Sequence, residues 1–285
     1  MKIYKTVRGL QNYIASLRKS KKRIGYVPTM GALHSGHMSL IQLSNKQCDI
    51  TVCSIFVNPT QFNEKSDLSK YPRTFDADSA LLKKNKCDIL FFPGVKEIYP
   101  KDVDTSVKIN FGKLDSVMEG AHRPGHFDGV AQVVKRLLDI VKPHELVMGQ
   151  KDFQQVAIIR LMLTTLKMKT KLVVGPTVRE AHGLAMSSRN ERLSKKLRHE
   201  AAVINDTLLW VKDNIKKYDI STLEKKAIKK MTLPKFKPEY FEISDGLTLQ
   251  PLKLVGRKKY VVACTAVWAG KVRLIDNCIL INILD

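Results

Sequence analysis

Along the first 175 residues, short apolar and β-branched runs alternate with stretches of helical spacing. The runs 24–27, 50–57, 89–92, 145–148 and 172–174 have strand length and are too continuously apolar for half-exposed strands. Between them Val130, Val133, Val134, Leu137, Leu138 and Val141 recur at i, i+3, i+4, i+7, i+8 and i+11, and Pro143 ends that helix. A second helix is predicted over 153–166. Strands alternating with helices imply βαβ units on a buried parallel sheet, so residues 1–176 are predicted to form a Rossmann-like, doubly wound α/β domain.

Beyond residue 176 the period changes. Residues 195–217 read as one amphipathic helix with Ala201, Ile204, Leu208, Val211 and Ile215 on a single face. Strand-like runs follow at 240–243, 260–268, 271–275 and 278–283, with Ala269-Gly270 and Asp276-Asn277 read as tight turns between them. Residues 177–285 are therefore predicted to be a smaller α+β domain with an antiparallel sheet. It carries the Met-Ser-Ser-Arg segment 186–189.

Composition adds limits. A chain of 285 residues with 44% hydrophobic and 27% charged residues is a folding sequence, which excludes disorder as the dominant state. It holds no apolar run of about 18 residues, the length a membrane span needs, and no apolar segment follows the charged start at Lys2. Cys48, Cys53, Cys87, Cys264 and Cys278 are scattered, odd in number and without a C-x-x-C pair, the pattern of reduced thiols. A cytoplasmic location and no membrane partner are the expectation. The net charge of +22 invites a nucleic-acid reading. Against it, aromatic residues are only 7% and no RNA-binding signature interleaves them with the cations. Nine lysines, Lys212, Lys216, Lys217, Lys225, Lys226, Lys229, Lys230, Lys235 and Lys237, face only Asp213, Asp219 and Glu224 in their segment, and read as a solvated surface.

Candidate chemistry gathers at strand ends. The first run leads into PTMGALHSGH (28–37), with a helix expected from about His37. Ligands of open α/β sheets bind beyond the carboxyl ends of the strands, and a helix start there suits phosphate. His34 and His37, with Gly36 between them, can face one phosphate; the same pair also reads as helix caps, or as metal ligands lacking a third partner at zinc spacing. The second run ends in FVNPTQF (56–62), where the amides of Asn58 and Gln61 suit a hydroxyl- and carboxylate-bearing ligand, or serve only to hold the loop. In VMGQKDFQQ (147–155), Asp152 and Gln155 are spaced as a capping box, and Lys151 sits beside the positive end of that helix. A cation there calls for an anion, unless its head simply points to water. Ser187, Ser188 and Arg189 in REAHGLAMSSRN (179–190) suit the charge of a transferring phosphoryl group, or an ordinary helix cap. EGAHRPGHFDG (119–129) adds a cationic loop, and neither a P-loop nor a G-x-G-x-x-G fingerprint occurs.

The histidine pair with the later Met-Ser-Ser-Arg segment resembles the HIGH and KMSKS signatures of the nucleotidyltransferase superfamily shared with class I aminoacyl-tRNA synthetases. Taken together and in order, PTMGALHSGH, FVNPTQF, YPRT (71–74), EGAHRPGHFDGV, GQKDFQQ and GLAMSSRN resemble the pantoate–β-alanine ligase family across essentially the whole chain. The resemblance implies ATP-dependent joining of pantoate to β-alanine through an enzyme-bound pantoyl adenylate, with release of pyrophosphate and then AMP. It further implies Mg²⁺ accompanying ATP, a homodimer, and no nucleic-acid partner. By motif position it assigns ATP contacts to Met30, Gly31, Ala32, Leu33, His34, Ser35, Gly36, His37, Gly149, Gln150, Lys151, Asp152, Val178, Met186, Ser187, Ser188 and Arg189. Within that set His34, His37, Lys151, Ser187, Ser188 and Arg189 would be catalytic, His37 as a proton donor. Substrate binding falls to Gln61, Gln155, Asn58, Tyr71, Arg123 and His126, and Asp78 would help organise the magnesium. Two departures from the pattern are Gln150, where an acidic or basic residue is usual, and His182, where aspartate is frequent. The competing readings are a nucleic-acid binder and another nucleotidyltransferase; the paired glutamines speak against the latter.

Overall fold

Six strands form one parallel sheet in the computed structural model, which describes residues 1–62, 68–69 and 71–283. They are β1 (Lys2–Tyr4), β2 (Ile24–Thr29), β3 (Ile50–Ile55), β4 (Ile89–Phe91), β5 (Glu145–Gly149) and β6 (Lys171–Gly175), in the order β1-β4-β3-β2-β5-β6. The chain fills one side of β2 first and then β5 and β6 on the other, so the direction of winding reverses between β2 and β5. Open α/β sheets bind ligands at such a reversal, beyond the carboxyl ends of the strands. Those ends are Thr29, which leads into Met30, and Gly149. β2, β3, β4 and β5 are almost wholly buried, as a sheet covered on both faces requires.

The helix Ser35–Gln47 lays Met38, Leu40 and Ile41 on Val27, Cys53 and Val147. The helix His126–Val141 buries Val130, Val133, Val134, Leu137, Leu138 and Val141, the stripe its spacing predicts, and ends at Lys142 in the left-handed region ahead of Pro143. β1 and the helices Val7–Lys19 and Phe75–Lys84 carry no continuous apolar run in the sequence. The first of these helices buries only Leu10 and Ile14.

A second, antiparallel sheet contains β7 (Phe236–Asp245), β8 (Tyr260–Ala269) and β9 (Val272–Asn282) in sequence order. Leu208, Val211, Leu223 and Ala227 of the helices Ala202–Asn214 and Ile220–Met231 form a core with Ile243, Val261, Ala263 and Val267. Met118, Phe153 and Ala157 form another with Leu249, Val262 and Cys264. Two expectations are corrected here. The helix over 195–217 is two helices, Lys195–Glu200 and Ala202–Asn214, meeting at the fully buried Ala201. Asp276-Asn277 is no turn but lies inside β9, paired in register with Thr265 and Cys264. Both side chains are buried and bonded to distant partners, which local composition cannot reveal. Ala269-Gly270 is the hairpin turn, with Gly270 at φ 59°.

The chain thus has a doubly wound α/β sheet and a smaller α+β part. It divides into two compact units: 1–111, 123–149 and 158–176 in the first, and 112–122, 150–157 and 177–285 in the second. Two segments from within 1–176 therefore group with the C-terminal residues.

Candidate active site

In the first unit, β2 delivers the 28–37 loop. Gly31 and Ala32 adopt positive φ values of 87° and 50°, which turn the chain sharply after Met30. For alanine that region costs about 1–2 kcal/mol, and Asp78 supplies compensation. Its carboxylate is buried and accepts hydrogen bonds from the Ala32 N–H at 3.0 Å and the Leu33 N–H at 2.8 Å. Thr29 Oγ1 donates to the Ser54 carbonyl and accepts from the Gly31 N–H, fixing the other side of the turn.

His34 then caps the helix Ser35–Gln47. Its Nδ1 accepts from the Gly36 N–H at 3.2 Å, and His37 Nδ1 accepts from the His34 N–H at 3.3 Å. The two rings lie 4.1 Å apart. A ring nitrogen that accepts a backbone N–H carries no proton, so a neutral imidazole in this arrangement carries its proton on Nε2. The cap and phosphate readings of the pair are thus compatible, since they use opposite ring nitrogens.

Next to this loop, Asn58 and Gln61 separate in role. Asn58 is 1% exposed; its Nδ2 donates to Thr60 Oγ1 and the Gly129 carbonyl, and its Oδ1 accepts from the Tyr99 hydroxyl. It holds the loop from within. Gln61 is half-buried, its Nε2 donates to Met30 Sδ at 2.7 Å, and its carbonyl accepts from His126 Nδ1 at 2.9 Å. His126 is itself buried and anchors the backbone of Gln61. Tyr71 packs edge-on against Phe62, with ring centroids 5.7 Å apart, and Arg123 is half-buried. Helix His126–Val141 approaches so closely that a Cβ on Gly129 would lie 2.4 Å from the Thr60 carbonyl oxygen.

In the second unit, a 3-10 turn, Gln150–Asp152, runs directly into residues 153–157, the first part of the helix Phe153–Thr165. Lys151 is half-buried, and among the described residues its ammonium makes no hydrogen bond or ion pair. The adjacent glutamines divide: Gln154 is buried, accepting from the Glu119 N–H and donating to the Leu114 and Val117 carbonyls. Gln155 stays half-buried. Glu119 forms a two-pronged pair with Arg273 at 2.8 Å.

Residues 178–186 form a narrow hairpin, with Arg179 bridged to Ala185 and the Met186 N–H donating to the Val178 carbonyl at 2.9 Å. Ser187 Oγ accepts from the Arg189 N–H and caps the 3-10 helix Ser188–Arg192. Ser188 and Arg189 are half-buried beside it. His182, the departure from aspartate, bonds through Nε2 to the Arg198 carbonyl and stacks on His199 at 5.3 Å.

Sequence reasoning missed Asp276 and Asn277, whose buried side chains reach Arg179 and the backbone of Gln150 and Lys151. Only their polarity within an apolar strand run could have flagged them. The expected magnesium finds no protein cage: among the described residues no three His, Cys, Asp or Glu side chains converge, and Asp78 faces backbone amides. The nine lysines from Lys212 to Lys237 are all exposed; Lys226 and Lys230 lie over the rings of Tyr218 and Trp210. Among the described residues no helix is long and apolar enough to cross a membrane.

The family described as pantoate-beta-alanine ligase matches residues 2–279. The chain is 48% identical over 280 residues to a pantothenate synthetase of Azobacteroides pseudotrichonymphae, covering 97% of this chain and 99% of that one. It is 47% identical to the Bacteroides thetaiotaomicron pantothenate synthetase over 278 residues, covering 97% and 98% respectively. Among solved structures, a pantothenate synthetase of Thermus thermophilus superposes with a TM-score of 0.91 at 36% identity, over 99% of this chain and 100% of that one. A Francisella tularensis pantoate-beta-alanine ligase complexed with beta-gamma ATP and beta-alanine gives 0.80 at 35% identity, over 98% of each chain.

Proposed function

The chain belongs to the pantoate–β-alanine ligase family and condenses pantoate with β-alanine at the expense of ATP, and we propose that it does so through a pantoyl adenylate, using the side chains of the 28–37, 147–155 and 186–189 motifs. The observation that carries this reading is the histidine pair at the winding reversal, with both Nδ1 atoms accepting backbone N–H groups at the helix start and the two rings 4.1 Å apart.

In the first step a pantoate carboxylate oxygen attacks the α-phosphorus of ATP. The bond from that phosphorus to the bridging oxygen breaks, and pyrophosphate leaves with the electron pair. Negative charge grows on the phosphoryl oxygens, so catalysis rests on positioning and electrostatic stabilisation. His34 and His37 donate through Nε2, His37 as the proton donor, and Lys151 and Arg189 supply fixed positive charge. Ser187 and Ser188 offer hydroxyl donors to the same phosphates. Met30 to Gly36, Gly149, Gln150, Asp152, Val178 and Met186 line the nucleotide. Gln61 and Gln155 hold pantoate by uncharged amides, Asn58 and His126 hold Gln61, and Tyr71 and Arg123 serve the acceptor side. Mg²⁺ would arrive on the phosphates of ATP itself, where it neutralises charge. In the second step the free amine of β-alanine attacks the acyl carbon, AMP leaves, and the surplus ammonium proton passes to solvent. A homodimer in the cytoplasm, acting on small molecules only, belongs to the same proposal.

Pyrophosphate release from ATP tests it directly. Release should require pantoate, and AMP should follow only when β-alanine is added. His37→Ala and Lys151→Ala should each slow the first step by several kcal/mol in barrier terms, about 10³-fold, without unfolding the chain. Turnover near that of the parent in either variant, or a requirement for tRNA, defeats the assignment.

A further inference from the structure

We propose that Asp276 and Asn277, neighbours on β9, are positioning residues that hold the 150–152 turn and the 178–186 hairpin in one fixed relation, and so aim Lys151 and the Ser187–Ser188 hydroxyls. The inference rests on the reading above that Lys151 serves ATP. Successive side chains of a strand leave opposite faces. Asp276 therefore shares its face with Val272 and Leu274, which pack with the helices, and Asn277 shares its face with Ile279, which packs beside Phe153. One pair of neighbours thus reaches two elements.

Every polar atom of the Asn277 amide is engaged at 2% exposure: Nδ2 donates to the Gln150 carbonyl at 3.1 Å and the Lys151 carbonyl at 2.9 Å, while Oδ1 accepts from Gln150 Nε2 at 3.1 Å. Asp276, 4% exposed, accepts from Arg179 Nη1 at 2.6 Å and Nη2 at 3.1 Å, and from the Asn277 N–H at 2.8 Å. Arg179 Nη1 also donates to the Gly183 carbonyl across the hairpin at 3.1 Å. The hairpin ends at Met186, one residue before Ser187.

A purely structural role is the weaker account. Two apolar side chains would fill these strand positions at no desolvation cost, and buried ion pairs commonly stabilise no better than apolar replacements. What the polar pair adds is direction: its partners are the two carbonyls flanking the Lys151 Cα and the arginine at the base of the serine hairpin. The same geometry favours an amide over a carboxylate at 150. A carboxylate there would have no N–H for Asn277 Oδ1, whereas the glutamine amide donates to it.

The test uses the full-length enzyme and pantoate-dependent exchange of pyrophosphate into ATP. Asn277→Asp keeps the shape and removes both donors to the carbonyls. The expected result is a fall in kcat of about 10- to 100-fold, the scale of a misplacement near 1 Å, with the KM for ATP changed less than kcat. Coupling separates aiming from folding. In a Lys151→Ala background Asn277→Asp should cost little more, because the group it aims is gone; Asp276→Asn should likewise lose its effect beside Ser188→Ala. Independent, multiplying effects overturn the inference, as does a folded Asn277→Asp enzyme with unchanged kcat. Full activity in Lys151→Ala alone would instead defeat the reading of Lys151. If Asn277→Asp fails to fold, Gln150→Ala removes one bond from the turn side, and a kcat about 3- to 10-fold lower that couples to Lys151→Ala supports the inference, while the parent rate overturns it.

Discussion

Replacing Asp78 by asparagine tests whether this carboxylate holds the 31–33 turn or a metal ion. Asp78 receives the Ala32 and Leu33 N–H groups on separate oxygens, at 3.0 and 2.8 Å, in a site only 3% exposed. The asparagine keeps one oxygen and turns an NH₂ group toward the second N–H. One charge-assisted hydrogen bond is lost, a buried backbone donor is left facing another donor, and the cost is about 2–4 kcal/mol. Ala32, at φ 50°, then has less to hold it in the left-handed region, and the loop carrying His34 and His37 relaxes. Urea unfolding measures the first effect, and pyrophosphate release titrated with Mg²⁺ measures the second. The reasoning predicts lower stability and lower kcat at an unchanged midpoint of Mg²⁺ activation. Unchanged stability with a tenfold shift of that midpoint would refute it and make Asp78 a metal ligand.

Gly129→Ala places a methyl against the Thr60 carbonyl and the Gln61 nitrogen, both backbone atoms, so the 58–61 loop must move. Steady-state kinetics should give a KM for pantoate about 10-fold higher, the scale of 1.4 kcal/mol, with the KM for ATP little changed. Burial works to raise the Asp245 carboxyl, but Lys258 and the Thr248 and Leu247 N–H groups outweigh it and hold the group down at about 2. A folded-state value below the unfolded one, about 3.9, means stabilisation that is present above pH 4 and lost as the pH falls toward 2. The stability difference between the parent and Asp245→Asn, from denaturation midpoints, should therefore shrink across that window. Burial also pushes the thiols up, Cys48 to about 11 and Cys87 to about 12, with Cys53 and Cys264 raised as well. Thiol labelling followed by mass spectrometry at pH 8 should be far slower in the native protein than in urea, with Cys53, Cys87 and Cys264 reacting last.

What could be read from the chain follows from where the information lies. β2, β3 and β5 were legible because strands covered on both faces must be apolar throughout, and the 130–141 stripe because one helix face carries nearly the whole of its burial. Lys2–Tyr4 is too short and Val7–Lys19 too sparsely buried to leave such a mark. The loops at the ends of β2 and β5 stood out through their glycines, histidines and lysine beside strand termini. Their internal wiring did not, since Asn58 meets Tyr99 and Gly129, and Asp78 meets Ala32, across dozens of residues. Asp276-Asn277 shows the limit most clearly, because a turn and a buried polar strand pair have the same local composition and differ only in distant partners.

The second unit is assembled from pieces of chain that are not contiguous, and this bears on its biosynthesis. Domains generally fold as they leave the ribosome, amino-terminal parts first. Here the parallel sheet is complete once β6 has emerged, while residues 112–122 and 150–157 must wait for strands still to be made. Until β8 and β9 arrive, Met118 and Phe153 lack Val262 and Cys264, and Glu119 lacks Arg273. A fragment expressed from Thr177 onward would carry the complementary deficit, with β9 offering Asn277 and Arg273 to partners encoded upstream.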